Sequence, residues 1–231
     1  GSNTLIALTG HFSDYADIQA NGEVQQRIFD PAVDGFPIDN YRTPSDPGKC
    51  GGMVTYAKWF FDKYPMCSLY KAYDDTTAAE VAAAADEAIK PFNFIADEDK
   101  FRMFVQDDAD VYDQLTKSLS KPQILGITKF VNGDTVNHSV LVYAYDNILN
   151  NFYLYDPNKH GDQKSIKWFG QTLEDYPLTT LVGDVDYTDI TSQLYRPDLM
   201  ANVFNAFPFN VDGVWSYSNN GTITCTYGDG E

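Results

Sequence analysis

The chain has 231 residues, 43% hydrophobic and 15% aromatic, with 33 acidic residues against 16 basic and a net charge of −17. That length holds one large domain, or one domain with an appendage. The acidity repels phosphate backbones and anionic surfaces, so no nucleic-acid partner is expected, and no apolar run reaches the roughly 18 to 20 residues that cross a bilayer, so no membrane insertion is expected either. Most of the acid is Asp, which suits an extracellular or salty setting and offers carboxylates to calcium, yet no spacing matches an EF-hand loop.

Gly1-Ser2 reads as a cloning scar, which puts the natural N-terminus upstream. Residues 1–49 read as an N-terminal arm. Thr4–Thr9 is a short strand pattern, and Asp30–Gly48, with Pro31, Gly35, Pro37, Pro44, Pro47 and Gly48, predicts an extended lead-in to Cys50. From Cys50 the apolar residues Met53, Val54, Ala57, Phe60 and Phe61 recur at three- and four-residue steps, which predicts a helix over 50–63 with one buried face. Trp59, Phe60 and Phe61 are read as core rather than as a substrate pocket. Pro65 ends that helix.

Thr77 and Glu80 form a capping-box pattern ahead of an Ala-rich helix over 78–90, closed by Pro91. Asp97–Val105 predicts a short helix, and Asp110–Ser120, with Val111, Leu115 and Leu119 on one face, another. The period changes at Lys121-Pro122. Gln123–Val131, His138–Tyr145, Asn151–Tyr155, Ser165–Phe169 and Thr179–Val185 read as strands, the first two joined by the turn Asn132-Gly133-Asp134. Helices followed by hairpin-linked strands predict an α+β domain over 50–190, its helical half packed on an antiparallel sheet. Residues 191–231 are a C-terminal extension of unsettled status: Gln193–Phe207 has a helix pattern weakened by Pro197, and Val214–Tyr227 reads as a hairpin around Asn219-Asn220-Gly221.

The chemistry centres on Cys50. A thiol in the first turn of a helix meets free backbone N–H groups and the positive end of the dipole, both of which favour the thiolate nucleophile. A buried structural thiol is the competing reading. The three cysteines form no disulfide framework; a bridge between Cys67 and Cys225 would leave Cys50 free. A thiolate nucleophile needs a base, and the base an orienting group. Of the three histidines, His11 lies in the irregular arm and His160 in an exposed loop, whereas His138 opens the clearest strand, where a side chain can face a cleft. The next strand ends at Tyr155-Asp156-Pro157-Asn158. In a hairpin, the start of one strand lies beside the end of the next, which brings Asp156 within reach of His138 as the third member of a triad. Taken alone, Asp156-Pro157-Asn158 is also simply a good turn.

Gly-Lys-Cys-Gly-Gly-Met before an aromatic helix, then Asn-His-Ser-Val-Leu-Val-Tyr-Ala-Tyr, then Phe-Tyr-Leu-Tyr-Asp-Pro-Asn resembles the papain-like cysteine peptidase superfamily. The likeness, over about residues 40–170, is greatest to the compact bacterial branch that includes the bacteriocin-leader peptidases. Those chains run Cys, His, Asp, and here His138 follows Cys50 by 88 residues and Asp156 follows His138 by 18. The resemblance implies a papain-like α+β fold, Cys50 as nucleophile, His138 as general base and acid, Asp156 as orienter, and a peptide or protein substrate with no metal or organic cofactor. It implies a secreted or cell-surface protein, which could belong to a larger multidomain surface protein. One departure stands out. The superfamily places a Gln shortly before the Cys as an oxyanion donor; here Pro44 lies six positions before Cys50, and Gly35–Lys49 contains no Gln. Asn40, Gln25 and Gln26 are the nearest amides. Two further functions therefore stand beside the peptidase: a papain-like binding or adhesion module without catalysis, and a transglutaminase-like acyl transferase with an amine in place of water.

Overall fold

A computed structural model describes residues 27–40, 48–64, 67–73, 77–93, 102–104, 108–131, 134–174, 176–180, 183–187, 191–195, 215–217 and 223–225. The expected strand over residues 4–9 lies outside them. In chain order the elements are α1 (Pro31–Asp34), α2 (Cys50–Lys63), α3 (Leu69–Ala72), α4 (Ala78–Asn93), β1 (Arg102–Phe104), α5 (Asp108–Ser118), β2 (Gln123–Val131), β3 (Asp134–Asp146), β4 (Asn151–Tyr155), β5 (Gln163–Lys167), β6 (Tyr176–Thr180), β7 (Gly183–Tyr187), β8 (Thr191–Tyr195), β9 (Trp215–Tyr217) and β10 (Ile223–Cys225). The fold is α+β.

Six strands form one sheet in the order β1-β8-β2-β3-β4-β5, and every pairing in it is antiparallel. Side chains alternate across it, as a pleated strand requires. Ile124, Leu141 and Tyr155 join one core with α2, α3, α4 and the segment 29–36; Leu125, Ile127, Val140, Val142, Phe152, Leu154 and Ile166 join a second core with Val111 and Leu115 of α5. The sheet is thus covered on both faces by helices drawn from the preceding half of the chain.

Several elements depart from the sequence expectation, each because a distant partner overrides a local pattern. The lead-in is not simply extended: Asp30 caps one helical turn, accepting from the Ala32 N–H at 2.9 Å, and Pro31 stands at the first helical position. Phe29 and Phe36 from this segment are buried in the α2 core. The helix α4 does begin at the capping box, with the Thr77 N–H donating to Glu80 at 2.6 Å, but runs through Pro91 to Asn93, since a proline φ is itself helical and the ring forfeits a single bond near the end. Arg102–Phe104 is a strand rather than part of a helix, and so is Thr191–Tyr195, where a helix was expected from Gln193; the first pairs with the second, Met103 opposite Leu194, and the second pairs on its other side with β2, Leu194 opposite Leu125. The single strand expected over 179–185 is instead a hairpin of β6 and β7, Leu178 facing Val185. The hairpin of β9 and β10 pairs Trp215 with Cys225, close to expectation. Among the described residues no helix is long and apolar enough to cross a membrane.

Helix α2 is the axis of the first core. Every residue from Gly52 to Phe61 is buried, where one buried face was expected. The two polar exceptions are satisfied locally: the Thr55 hydroxyl donates to the Gly51 carbonyl at 2.7 Å, and Lys58 pairs with Asp62 at 3.0 Å. Aromatic rings supply the filling, among them Tyr56 edge-on to Trp59 at 5.3 Å and Phe36 edge-on to Tyr73 at 5.0 Å. Close approach to α4 depends on Gly52. A Cβ there would lie 2.1 Å from the Ala85 carbonyl oxygen and 2.6 Å from its carbon, backbone atoms that cannot swing aside.

Gly52→Ala should therefore destabilise the protein by about 3 kcal/mol or more, the upper end for overpacking, lowering Tm by roughly 6–12 °C for a chain of this size. A thermal melt followed by circular dichroism tests this; an unchanged Tm would mean that α2 and α4 do not meet at Gly52.

Candidate active site

Gly48, at φ 83°, turns the chain into α2, a conformation that glycine adopts without strain. Lys49 is the N-cap, its carbonyl accepting from the Met53 N–H at 2.9 Å. Cys50 is therefore the first helical residue, as the sequence predicts. It is a free thiol and half-buried. Cys67, by contrast, is disulfide-bonded.

His138 does not open its strand. The β2–β3 ladder runs to Val131 opposite Asp134, and His138 pairs with Ile127 four residues inside β3. On its other side, however, β3 begins pairing with β4 only at Leu141 opposite Tyr155. His138 thus lies beyond the end of β4, and the chain leaving β4 at Asp156 turns back toward it. His138 Nε2 and Asp156 Oδ1 are 2.8 Å apart, and the two residues are 3% and 4% exposed. The Cys50 thiol lies near enough to the His138 side chain for hydrogen-bonding and charge interaction between the two. With Nε2 engaged by Asp156, Nδ1 is the ring nitrogen left for the sulfur. The structure so brings together the three residues that the sequence singled out.

The electrostatics follow from this contact. Burial pushes the Cys50 thiol up, but the hydrogen bond and charge of His138, with the backbone N–H groups of Ser139 and Gly51, outweigh it and hold the thiol below its ordinary value. Burial pushes the His138 imidazolium down, but the Asp156 carboxylate, its hydrogen bond and the contact with Cys50 raise it to about 10. Both shifts favour the proton on the ring, a thiolate beside an imidazolium.

Asp156 also accepts the Asn158 N–H at 2.9 Å on the same Oδ1. One carboxylate oxygen of Asp156 thus meets both the turn and the His138 ring. Asn40, the nearest upstream amide, is committed elsewhere: its Oδ1 accepts from the Lys49 N–H at 2.7 Å and its Nδ2 donates to Asn158 Oδ1 at 2.9 Å. Gln25 and Gln26 lie outside the described residues, as does His11. His160 is exposed, as expected, and bonds Asp39, its backbone N–H and its Nδ1 each 2.7 Å from Asp39 Oδ1. The roles of Asp39, Asn40 and the Ser139 N–H carry no local sequence signal, because each contact spans a large separation along the chain. Among the described residues no group of three or more His, Cys, Asp or Glu is placed to hold a metal ion. In comparisons with known proteins, no family model and no curated protein matches the chain.

With Cys67 bridged, iodoacetate at pH 6 should label Cys50 and leave Cys67 untouched. Since the thiol is lowered and His138 keeps its proton to about 10, the rate should rise from pH 6 to 8 much less steeply than tenfold per unit, then fall near pH 10 as the ring loses its charge. His138→Ala should slow labelling at pH 6 roughly 100-fold, because a thiol of ordinary pKa near 8.5 is only about 0.3% thiolate there. A rate that climbs tenfold per pH unit from 6 to 8 in the wild type would mean an ordinary thiol.

Proposed function

We propose that the protein is a cysteine peptidase of papain-like fold, working through an acyl-enzyme. The observation that carries this reading is the continuous contact from Cys50, at the first turn of α2, through His138 to buried Asp156. A nucleophile, a base and a carboxylate that fixes the ring are the three parts that acyl transfer by a thiol requires.

In this mechanism the Cys50 thiolate attacks a peptide carbonyl and a carbon–sulfur bond forms. The carbonyl electron pair moves to oxygen, which the Cys50 backbone N–H at the helix start stabilises. His138 gives its proton to the leaving amine as the C–N bond breaks. A water molecule then attacks the acyl carbon, forming a carbon–oxygen bond as His138 takes its proton, and the carbon–sulfur bond breaks to release the acid and restore the thiolate and the protonated ring. Asp156 holds the ring in orientation and balances its charge throughout. The disulfide at Cys67 supports a secreted or cell-surface setting, where such bonds persist.

The binding-module alternative has its own support in Asn40, whose amide is bound to Lys49 and Asn158 rather than placed as an oxyanion donor. Removing one such donor typically lowers rates by about 10²–10³. Hydrolysis of a peptide library, read by mass spectrometry, separates the readings. The wild type should cleave, Cys50→Ala should not, and His138→Ala should lose roughly 10²–10⁴ in kcat. Rapid Cys50 labelling without cleavage of any peptide would favour the binding module, and amide transfer to an added amine in preference to water would favour the transferase.

A further inference from the structure

The nucleophile and the base stand on separately formed parts of the fold. Cys50 begins a helix in one core, while His138 and Asp156 belong to the sheet and the turn that follows it. Contact between sulfur and ring needs these parts in register to within a fraction of an ångström. Asn40 spans the joint. Its Oδ1 accepts the N–H of Lys49, the residue before Cys50, at 2.7 Å. Its Nδ2 donates to the side chain of Asn158 at 2.9 Å, and its own N–H donates to the Pro157 carbonyl at 2.7 Å. The Asn158 N–H in turn donates to Asp156 Oδ1, the atom that holds His138. One hydrogen-bonded path therefore runs from the cap of the Cys50 helix, through Asn40 and Asn158, to the carboxylate behind the base. The side-chain amide of Asn40 thus ties the start of α2 to the turn.

We infer that Asn40 is a positioning residue, holding the Cys50 end of α2 in register with the turn that carries Asp156. The inference rests on the Cys50–His138–Asp156 reading and adds a fourth residue that never touches the reacting atoms. An amide suits the role because it accepts at one atom and donates from another; an ionised carboxylate only accepts, and a hydroxyl has a single atom for both. The bond from the Asn40 N–H to the Pro157 carbonyl does not involve the side chain, so alanine and aspartate variants keep its donor and test the side-chain link.

The experiment is the pH profile of Cys50 alkylation by iodoacetamide in the full chain, read by mass spectrometry well below Tm. Asn40→Ala should move the apparent thiol pKa upward, slowing labelling about tenfold at pH 6 while leaving it within about twofold at pH 9. Asn40→Asp keeps the acceptor for Lys49 but sets a carboxylate against the Asn158 oxygen, and should show the same defect. Asn158→Ala removes the link from the other side; it should reproduce the shift, and combining it with Asn40→Ala should add little. Should Asn40→Ala not fold, Asn158→Ala carries the test. A purely structural Asn40 would lower Tm with a profile that superimposes on the wild type, and that outcome overturns the inference while leaving the triad standing. A wild-type thiol that titrates near 8.5 overturns both.

Discussion

The structure depends on the carboxylate of Asp156. An isolated charge buried in a protein interior is prohibitively unfavourable, and such a group normally sheds its charge. His138 is 3% exposed and nevertheless holds a raised pKa, because Asp156 stands 2.8 Å from its ring. That charged ring is in turn what draws the Cys50 thiol below its ordinary value. Without the carboxylate, burial alone would leave a neutral imidazole beside a neutral thiol. The turn at residues 156–158 uses the same oxygen, so the backbone that must bend away from β4 and the group that must meet His138 are set by one atom.

The remainder of the fold brings these groups to that atom. The sheet ends β4 at Tyr155, three pairs short of His138, and so leaves the ring uncovered on the side from which Asp156 returns. Helix α2 is buried all round, fixed by aromatic packing and by the approach to α4 at Gly52, so its first turn has little freedom to tilt. Lys49 adds a contact to Asp86 of α4 at 2.8 Å, but both side chains are partly exposed and such a pair contributes little on its own.

What the sequence made legible is local. The start of α2 at Cys50 could be read from the proline-rich lead-in and the apolar spacing after it. The limits of β2 and β4 could be read from turn residues, and the capping box marked α4. The meeting of His138 with Asp156 followed from hairpin geometry, although β3 proved longer than its hydrophobic run. What was not legible is long-range. The segments 102–104 and 191–195 have no strand signature strong enough to compete with the helix patterns around them; 191–195 became a strand by pairing with β2, and 102–104 by pairing with 191–195. The all-round burial of α2 came from packing by segments before and after it, which no periodicity within the helix encodes. The role of Asn40 was invisible for the same reason, since its partner Asn158 lies 118 residues away.

The strand order carries a consequence for how the chain must be made. β8 is the last strand of the sheet to be synthesised, yet it is inserted between β1 and β2 rather than added at the rim. The hairpins of β2, β3 and β4 close over short connections and can form early, whereas β8 must return across more than sixty residues to dock on β2. Until residues 191–195 leave the ribosome, β2 presents an open, apolar edge at Leu125 and Ile127, the kind of edge that pairs with other chains. Completion of the sheet is thus timed by a segment that lies downstream of every residue in the candidate site.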